Sequence, residues 1–176
     1  MQMVNYLLSK YNYQLNYTKL IKLLYLADRE ALDKWGFSVS GDTYSLMRQG
    51  AVLGRLYDFI KADKNIEGQP EWNSTFCKDK YDLVSRVQDK CSYDELSRAE
   101  KRLLDEVDAK YHDKSWQYLV DEVIHKLEEC REYDSVGSSS VPIFKQEILK
   151  ALRKKEKDIE HILEEESASR AFSRTI

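Results

Sequence analysis

The chain lacks most of the marks that chemistry leaves in a sequence. Its 176 residues contain three cysteines and three histidines. Cys77, Cys91 and Cys130 form an odd set with no close pair, so a reduced compartment is the simplest expectation. A zinc site needs ligands roughly two to four residues apart. Neither the cysteines nor His112, His125 and His161 offer that spacing, and neither a metal nor a cofactor is expected. There is no glycine-rich phosphate loop of the Walker or dinucleotide type, and no Gly-x-Ser-x-Gly elbow. No basic-then-apolar leader and no bilayer-length apolar run appear, so a cytoplasmic protein without a membrane partner is expected.

What is present fits a core of one domain with room for a helical extension: 42% of residues are hydrophobic and 34% charged. The net charge of −3 argues against a dedicated nucleic-acid coat and leaves room for a local basic patch. A short helix is expected from Val4 to Tyr11. Asn16 as cap and Gly36 as stop frame a second, "YTKLIKLLYLADREALDKW". On it Tyr17, Leu20, Ile21, Leu23, Leu24, Ala27, Ala31, Leu32 and Trp35 share one broad apolar arc, with Lys19, Lys22, Arg29, Glu30 and Asp33 opposite. So wide an arc belongs to a central helix. Asp28 falls inside it and must find donors, or its pKa rises. It is expected to be buried, with Arg48 as first-choice partner and a tyrosine hydroxyl as second.

The stretch "TYSLMRQGAVLGRLYDFI" passes from an extended-looking Thr43–Met47 to an expected helix. That helix starts at Gly50-Ala51, without a side-chain cap, and runs to about Lys64 on Leu53, Leu56, Tyr57 and Ile60. Gly68-Gln69-Pro70 reads as a break. Trp72–Phe76 and Tyr81–Val87 read as a hairpin around Lys78-Asp79-Lys80. Ser97 and Glu100 form a capping-box pattern opening a helix to about Tyr111. Ser115 caps another, with Trp116, Leu119, Val120, Val123, Ile124 and Leu127 inward. Residues 134–141 read as a flexible loop, 142–166 as one long helix from Pro142, and 167–176 as a frayed tail. That last helix carries Lys150, Arg153, Lys154, Lys155 and Lys157 before Asp158, Glu160, Glu164, Glu165 and Glu166. A solvated face is preferred to a docking surface for it. The expected fold is mainly α: a compact helical domain over 1–133, one small β-hairpin near 72–88, and a long C-terminal helix.

No catalytic residue is assigned. Asp28 has no second carboxylate, His or Cys near its face. His125 and Cys130 lie five residues apart, and nothing else marks the thiol as an activated nucleophile. Tyr6, Tyr11, Tyr13, Tyr17 and Tyr25 suit a core edge or an interface.

"KLIKLLYLADREALDKWG" followed by "GDTYSLMRQGAVLGRLYDFI" resembles the SocA-like, or Panacea, antitoxin domain of bacteria and their phages. The matching positions are Lys19, Leu20, Lys22, Leu23, Leu24 and Tyr25, then Met47, Gly50, Val52 and Tyr57, with Asp28 grouped beside them as a structural residue. The resemblance covers most of residues 17–133. The family usually has Pro after the Gly, where this chain has Ala51. It often has His-x-Leu-Pro-Glu-Trp, where this chain departs to Glu129-Cys130 and Tyr133. The resemblance implies a mainly helical fold with a small hairpin. It also implies a protein that neutralises a cognate toxin by direct contact, with a protease or chaperone as a further partner, and admits a homodimer. Arg48, Tyr57 and Tyr133 are the candidate contact residues. The alternative is a DNA-binding regulator of its own operon, for which only Lys150–Lys157 offers a basic helix.

Overall fold

The computed structural model describes residues 1–62, 66–88, 92–136 and 139–173. Cys91, the expected helix end at Lys64, the middle of the 134–141 loop and the last three tail residues lie outside them.

The order of the fold follows from its central helix, α2 (Tyr17–Trp35). The Asn16 side chain accepts the Lys19 amide at 3.1 Å, and Gly36 closes the helix in the left-handed region at φ 78°. α1 (Gln2–Ser9) and α5 (Arg98–Tyr111) pack on it, the latter opened by the Ser97–Glu100 capping box. Leu20, Leu23, Leu24, Tyr25, Ala27, Ala31 and Leu32 are fully buried. Lys19 and Lys22, placed by periodicity on the polar side, are buried as well. α2 is enclosed on more sides than its apolar arc, because strands and turns from distant sequence cover the lysine face.

The single hairpin is overturned. Two three-stranded sheets are present among the described residues, with all neighbouring strands antiparallel. In the first, β1 (Gln14–Asn16), β4 (Phe76–Asp79) and β5 (Asp82–Ser85) run in the order β1-β5-β4. Its turn is Lys80-Tyr81, and the expected first strand, Trp72–Phe76, is mostly α4 (Gln69–Thr75), with Pro70 in its first turn. In the second, β2 (Tyr44–Met47), β3 (Gly50–Leu53) and β6 (Val141–Ile143) run in the order β3-β2-β6.

β2 and β3 also overturn the expected helix start. Arg48-Gln49 is a hairpin turn, and Gly50 follows it at φ 80°. The helix, α3 (Gly54–Lys61), begins only after Leu53. Its cap is remote in sequence: the Asp42 carboxylate accepts the Arg55 and Leu56 amides, each at 3.0 Å, and the Thr43 amide at 2.7 Å. A cap before the hairpin serves a helix after it.

The long C-terminal helix is overturned too. Tyr133–Val136 is a 3-10 turn, and Pro142 lies in edge strand β6 opposite Ser45 rather than in a helix. α7 (Lys145–Ala151) and α8 (Glu156–Ser173) follow, packed together. The break falls at Arg153, at φ 59°, where Lys154 turns back to the Asp33 carbonyl at 2.6 Å. The stripe from Ile148 to Leu163 matches one helix in phase, but both halves bury apolar residues only if the chain folds back. The helix after Ser115 is likewise interrupted: α6 (Trp116–Tyr118) passes into a π turn, Leu119–Val123, and a 3-10 turn, Ile124–Lys126.

Candidate functional site

Lys22, Tyr25 and Arg29 follow one another along α2 at helical spacing and face β3 and the Glu129–Cys130 turn. The Lys22 ammonium donates to the Ala51 carbonyl at 2.7 Å. The Ala51 amide in turn donates to the Cys130 sulfur. The outer edge of β3 is thus satisfied by side chains and not by another strand. Glu129 Oε1 accepts from the Tyr25 hydroxyl at 3.0 Å and from Arg29 Nε at 2.7 Å. Asp28 lies on the next turn, fully buried. It accepts the Ser40 amide at 2.8 Å, the Tyr44 hydroxyl at 3.0 Å, the Ser40 hydroxyl and the Val39 amide. Its partners are therefore a loop and a tyrosine, not Arg48. Burial nevertheless lifts its pKa above the usual carboxylate range, against those bonds.

The electrostatics of this interface are set by burial. Burial pushes the Lys22 amine down to about 7, with Cys130 opposing weakly. Burial, then Glu129, pushes the Cys130 thiol up to about 11. A thiol held protonated is a poor nucleophile. The His125 ring is stacked on Tyr133, with centroids 3.4 Å apart and planes 2° from parallel, and burial lowers its pKa. His125 and Cys130 are each engaged elsewhere, with Tyr133 and with Ala51. Among the described residues no group of three His, Cys, Asp or Glu is placed to hold a metal ion.

On the outer side of the same interface lies a pocket of about 420 Å³. Ile21, Lys22, Met47 and Val52 line it, with Arg48 and Gln49 of the hairpin turn, Tyr57 and Lys61 of α3, and Tyr17, Thr18 and Ser139. Lys61 Nζ stands 5.2 Å from the Tyr17 ring centre and 5.4 Å from that of Tyr57. A second pocket of about 430 Å³ shares Met47, Val52 and Tyr57 and extends past Asp58 to Ile66 and Glu67. The two pockets adjoin at Met47, Val52 and Tyr57, along the hairpin and α3.

The structure gathers five of the residues singled out in sequence, Lys22, Met47, Arg48, Val52 and Tyr57, around this one pocket. It places Leu20, Leu23, Leu24 and Tyr25 in the core. Gly50 lies against Ile124 and His125, where a Cβ would come within 2.4 Å of Ile124 Cγ2. Lys19 goes elsewhere, donating to the His112 carbonyl at 2.6 Å. Tyr133 stacks on His125 outside the pocket lining. Sequence reasoning missed Tyr17, Ile21 and Lys61 as lining, and Asp42 as the α3 cap. Tyr17 and Ile21 lie four residues apart, as do Thr18 and Lys22, a signal masked by assigning Lys22 to the solvent side.

The fold is a mainly α domain with a surface pocket walled by a hairpin turn and two helices. The pattern of the antitoxin SocA-like, Panacea domain matches residues 20–129, more than half of the chain, and the chain belongs to this family. No curated protein and no solved structure matches it significantly. The matched span runs from the first turn of α2 to Glu129 and includes the pocket lining apart from Tyr17, Thr18 and Ser139.

Proposed function

We propose that this protein is an antitoxin that neutralises a cognate toxin by direct, stoichiometric contact and without turnover. The observation that carries the reading is the family match over residues 20–129. It is supported by the convergence of Lys22, Met47, Arg48, Val52 and Tyr57 on one surface groove. The role as a binder also agrees with the state of the candidate catalytic groups. Asp28 is satisfied by four donors, Cys130 is held protonated, and His125 is stacked on Tyr133. Within the basic stretch offered for a DNA-binding role, Lys154 pairs with Asp33 at 2.9 Å and Lys150 approaches Glu156 at 4.0 Å. Arg48 and Tyr57 are the contact residues this reading places in the groove, with Tyr133 at a separate edge.

Co-expression tests the reading. The protein encoded beside this chain should arrest growth when expressed alone. Growth should return when this chain is present, and the two should co-purify. Arrest that persists with both proteins abundant would refute the proposal.

A further inference from the structure

Few large apolar side chains are left exposed among the described residues, and two of them flank one ion pair. Phe37 is 58% exposed and Phe144 66%. Phe37 follows the end of α2, and its ring stacks on Trp35 with centroids 5.6 Å apart. Phe144 stands at the start of α7, where its amide donates to the Glu147 carboxylate at 2.7 Å. The Lys145 ammonium pairs with Glu166 of α8, and two clefts meet at that pair. One, of about 410 Å³, has Trp35, Phe37, Ile162 and Glu165 in its lining beside Lys145 and Glu166. The other, of about 400 Å³, has Pro142, Phe144 and Leu163 beside the same pair. Single exposed apolar residues are ordinary, but two aromatic rings on adjoining clefts form a patch.

The patch is also anionic. Glu165 and Glu166 line the first cleft, Asp42 and Glu166 the second, and the one lining cation, Lys145, is already paired within the chain. The Glu165 side chain is 69% exposed, 3.4 Å from His161, which is a cation only when protonated. Asp158, Glu160 and Glu164 continue the acidic run on the exposed surface of α8. The exposed cations Arg153, Lys155 and Lys157 gather at the start of α8, about two turns or more before Glu165.

We propose that this face docks a segment of a partner protein that carries an arginine next to an apolar residue. The guanidinium lies on the exposed Phe37 ring and pairs with Glu165, and the apolar side chain enters the cleft beside Phe144. A planar guanidinium suits an aromatic face and a carboxylate together, which a compact ammonium does less well. The surplus of carboxylates opposes a polyanion such as nucleic acid. Phe144, Lys145, Ile162, Leu163, Glu165 and Glu166 all lie beyond the span that matches the family. The inference therefore goes beyond the antitoxin reading and does not rest on it: failed co-expression would leave this surface standing, and a failed peptide selection would leave that reading standing.

The test uses the full chain, immobilised and panned against a random heptapeptide phage library. Selected peptides should carry arginine next to an apolar or aromatic residue. Changing that arginine to glutamine in a synthetic copy should weaken binding roughly tenfold, and changing it to lysine should weaken it less. Phe37→Ser and Glu165→Gln, both at exposed positions that keep the fold, should each weaken binding by a similar factor. Tyr81→Ser, at an exposed ring in the β4–β5 turn, should leave it unchanged. The inference is overturned if no peptide is enriched, if acidic or neutral peptides are, or if neither Phe37→Ser nor Glu165→Gln changes binding. Sedimentation of the wild-type chain over a range of concentrations checks the other occupant. A dimer that Phe37→Ser dissociates would place a second copy on this face and overturn the inference, whereas a monomer at all concentrations agrees with it.

Discussion

The Lys22 ammonium meets the Ala51 carbonyl at 2.7 Å, with both residues buried where α2 crosses the edge of β3. This contact joins the motif positions Lys19 to Tyr25 on α2 to the hairpin that follows them. It fixes the hairpin on the central helix. The cost is a cation in an apolar setting.

That cost should be visible in the pH dependence of stability. Burial holds the folded Lys22 amine at about 7, whereas an unfolded lysine titrates near about 10.4. Between those values the unfolded chain binds more protons, so stability rises with pH. Cys130 acts in the opposite sense: its folded thiol is held up at about 11, against about 8.5 unfolded, so from roughly pH 8.5 stability falls on its account. His125 is shifted downward, and Tyr25 and Tyr44 upward, away from the window between. Urea denaturation should therefore show a gain of about 1–2 kcal/mol from pH 7 to 8.5. Lys22→Met should flatten it, and an unchanged slope in that variant would refute the assignment.

Asp42→Ala should destabilise the protein by about 1–2 kcal/mol, the usual range for losing a helix cap. The reason is its acceptance of the Arg55 and Leu56 amides. Asp42→Asn, which keeps an acceptor oxygen, should recover most of the loss in a thermal melt. Equal melting temperatures for Asp42→Ala and the wild type would mean that α3 does not depend on this cap.

Much of the fold was legible locally. Asn16, Gly36 and the Ser97–Glu100 box mark helix ends through bonds to residues within a turn, so the sequence displays them. Asp42 caps a helix across an intervening hairpin, and no local pattern reveals that. The β2–β3 hairpin was hidden because Leu53, Leu56, Tyr57 and Ile60 hold helical spacing, although Leu53 itself is extended at φ −80°, ψ 117°. The stripe along 142–166 hid a chain reversal for the same reason: phase survives a fold-back. At the candidate site, Met47, Arg48, Val52 and Tyr57 could be named from the motif. The burial of Lys22 depends on β3 and the Cys130 turn, and periodicity along α2 pointed the other way.

The family pattern places Pro after the Gly, and at a helix start Ala51→Pro would gain stability. The observed position is a strand whose Ala51 amide is bonded to the Cys130 sulfur. Loss of that bond should make Ala51→Pro destabilising by about 1 kcal/mol. In a Cys130→Ala background, where the acceptor is already gone, the same substitution should cost less. The cycle of the two variants measures that coupling. Additive effects would show that the amide–sulfur bond contributes nothing.

Gly50→Ala should be more severe, about 2–4 kcal/mol, because two penalties combine. Its φ of 80° disfavours a side chain, and the new Cβ would lie 2.4 Å from Ile124 Cγ2. Ile124→Val in the same chain removes the Cδ1 methyl and leaves Cγ2 in place, so it should give little relief in a denaturant melt. Full rescue by Ile124→Val would contradict this packing.

The central claim is direct neutralisation through the groove formed by the β2–β3 hairpin and α3. Its most direct test is a titration of the toxin encoded beside this chain with purified protein, recording toxin activity throughout. The account predicts inhibition that saturates at a fixed molar ratio, with the curve shifted to higher concentration by Arg48→Gln and by Tyr57→Ala. Inactivation of a large excess of toxin by a trace of this protein, or a curve that neither substitution moves, would contradict it.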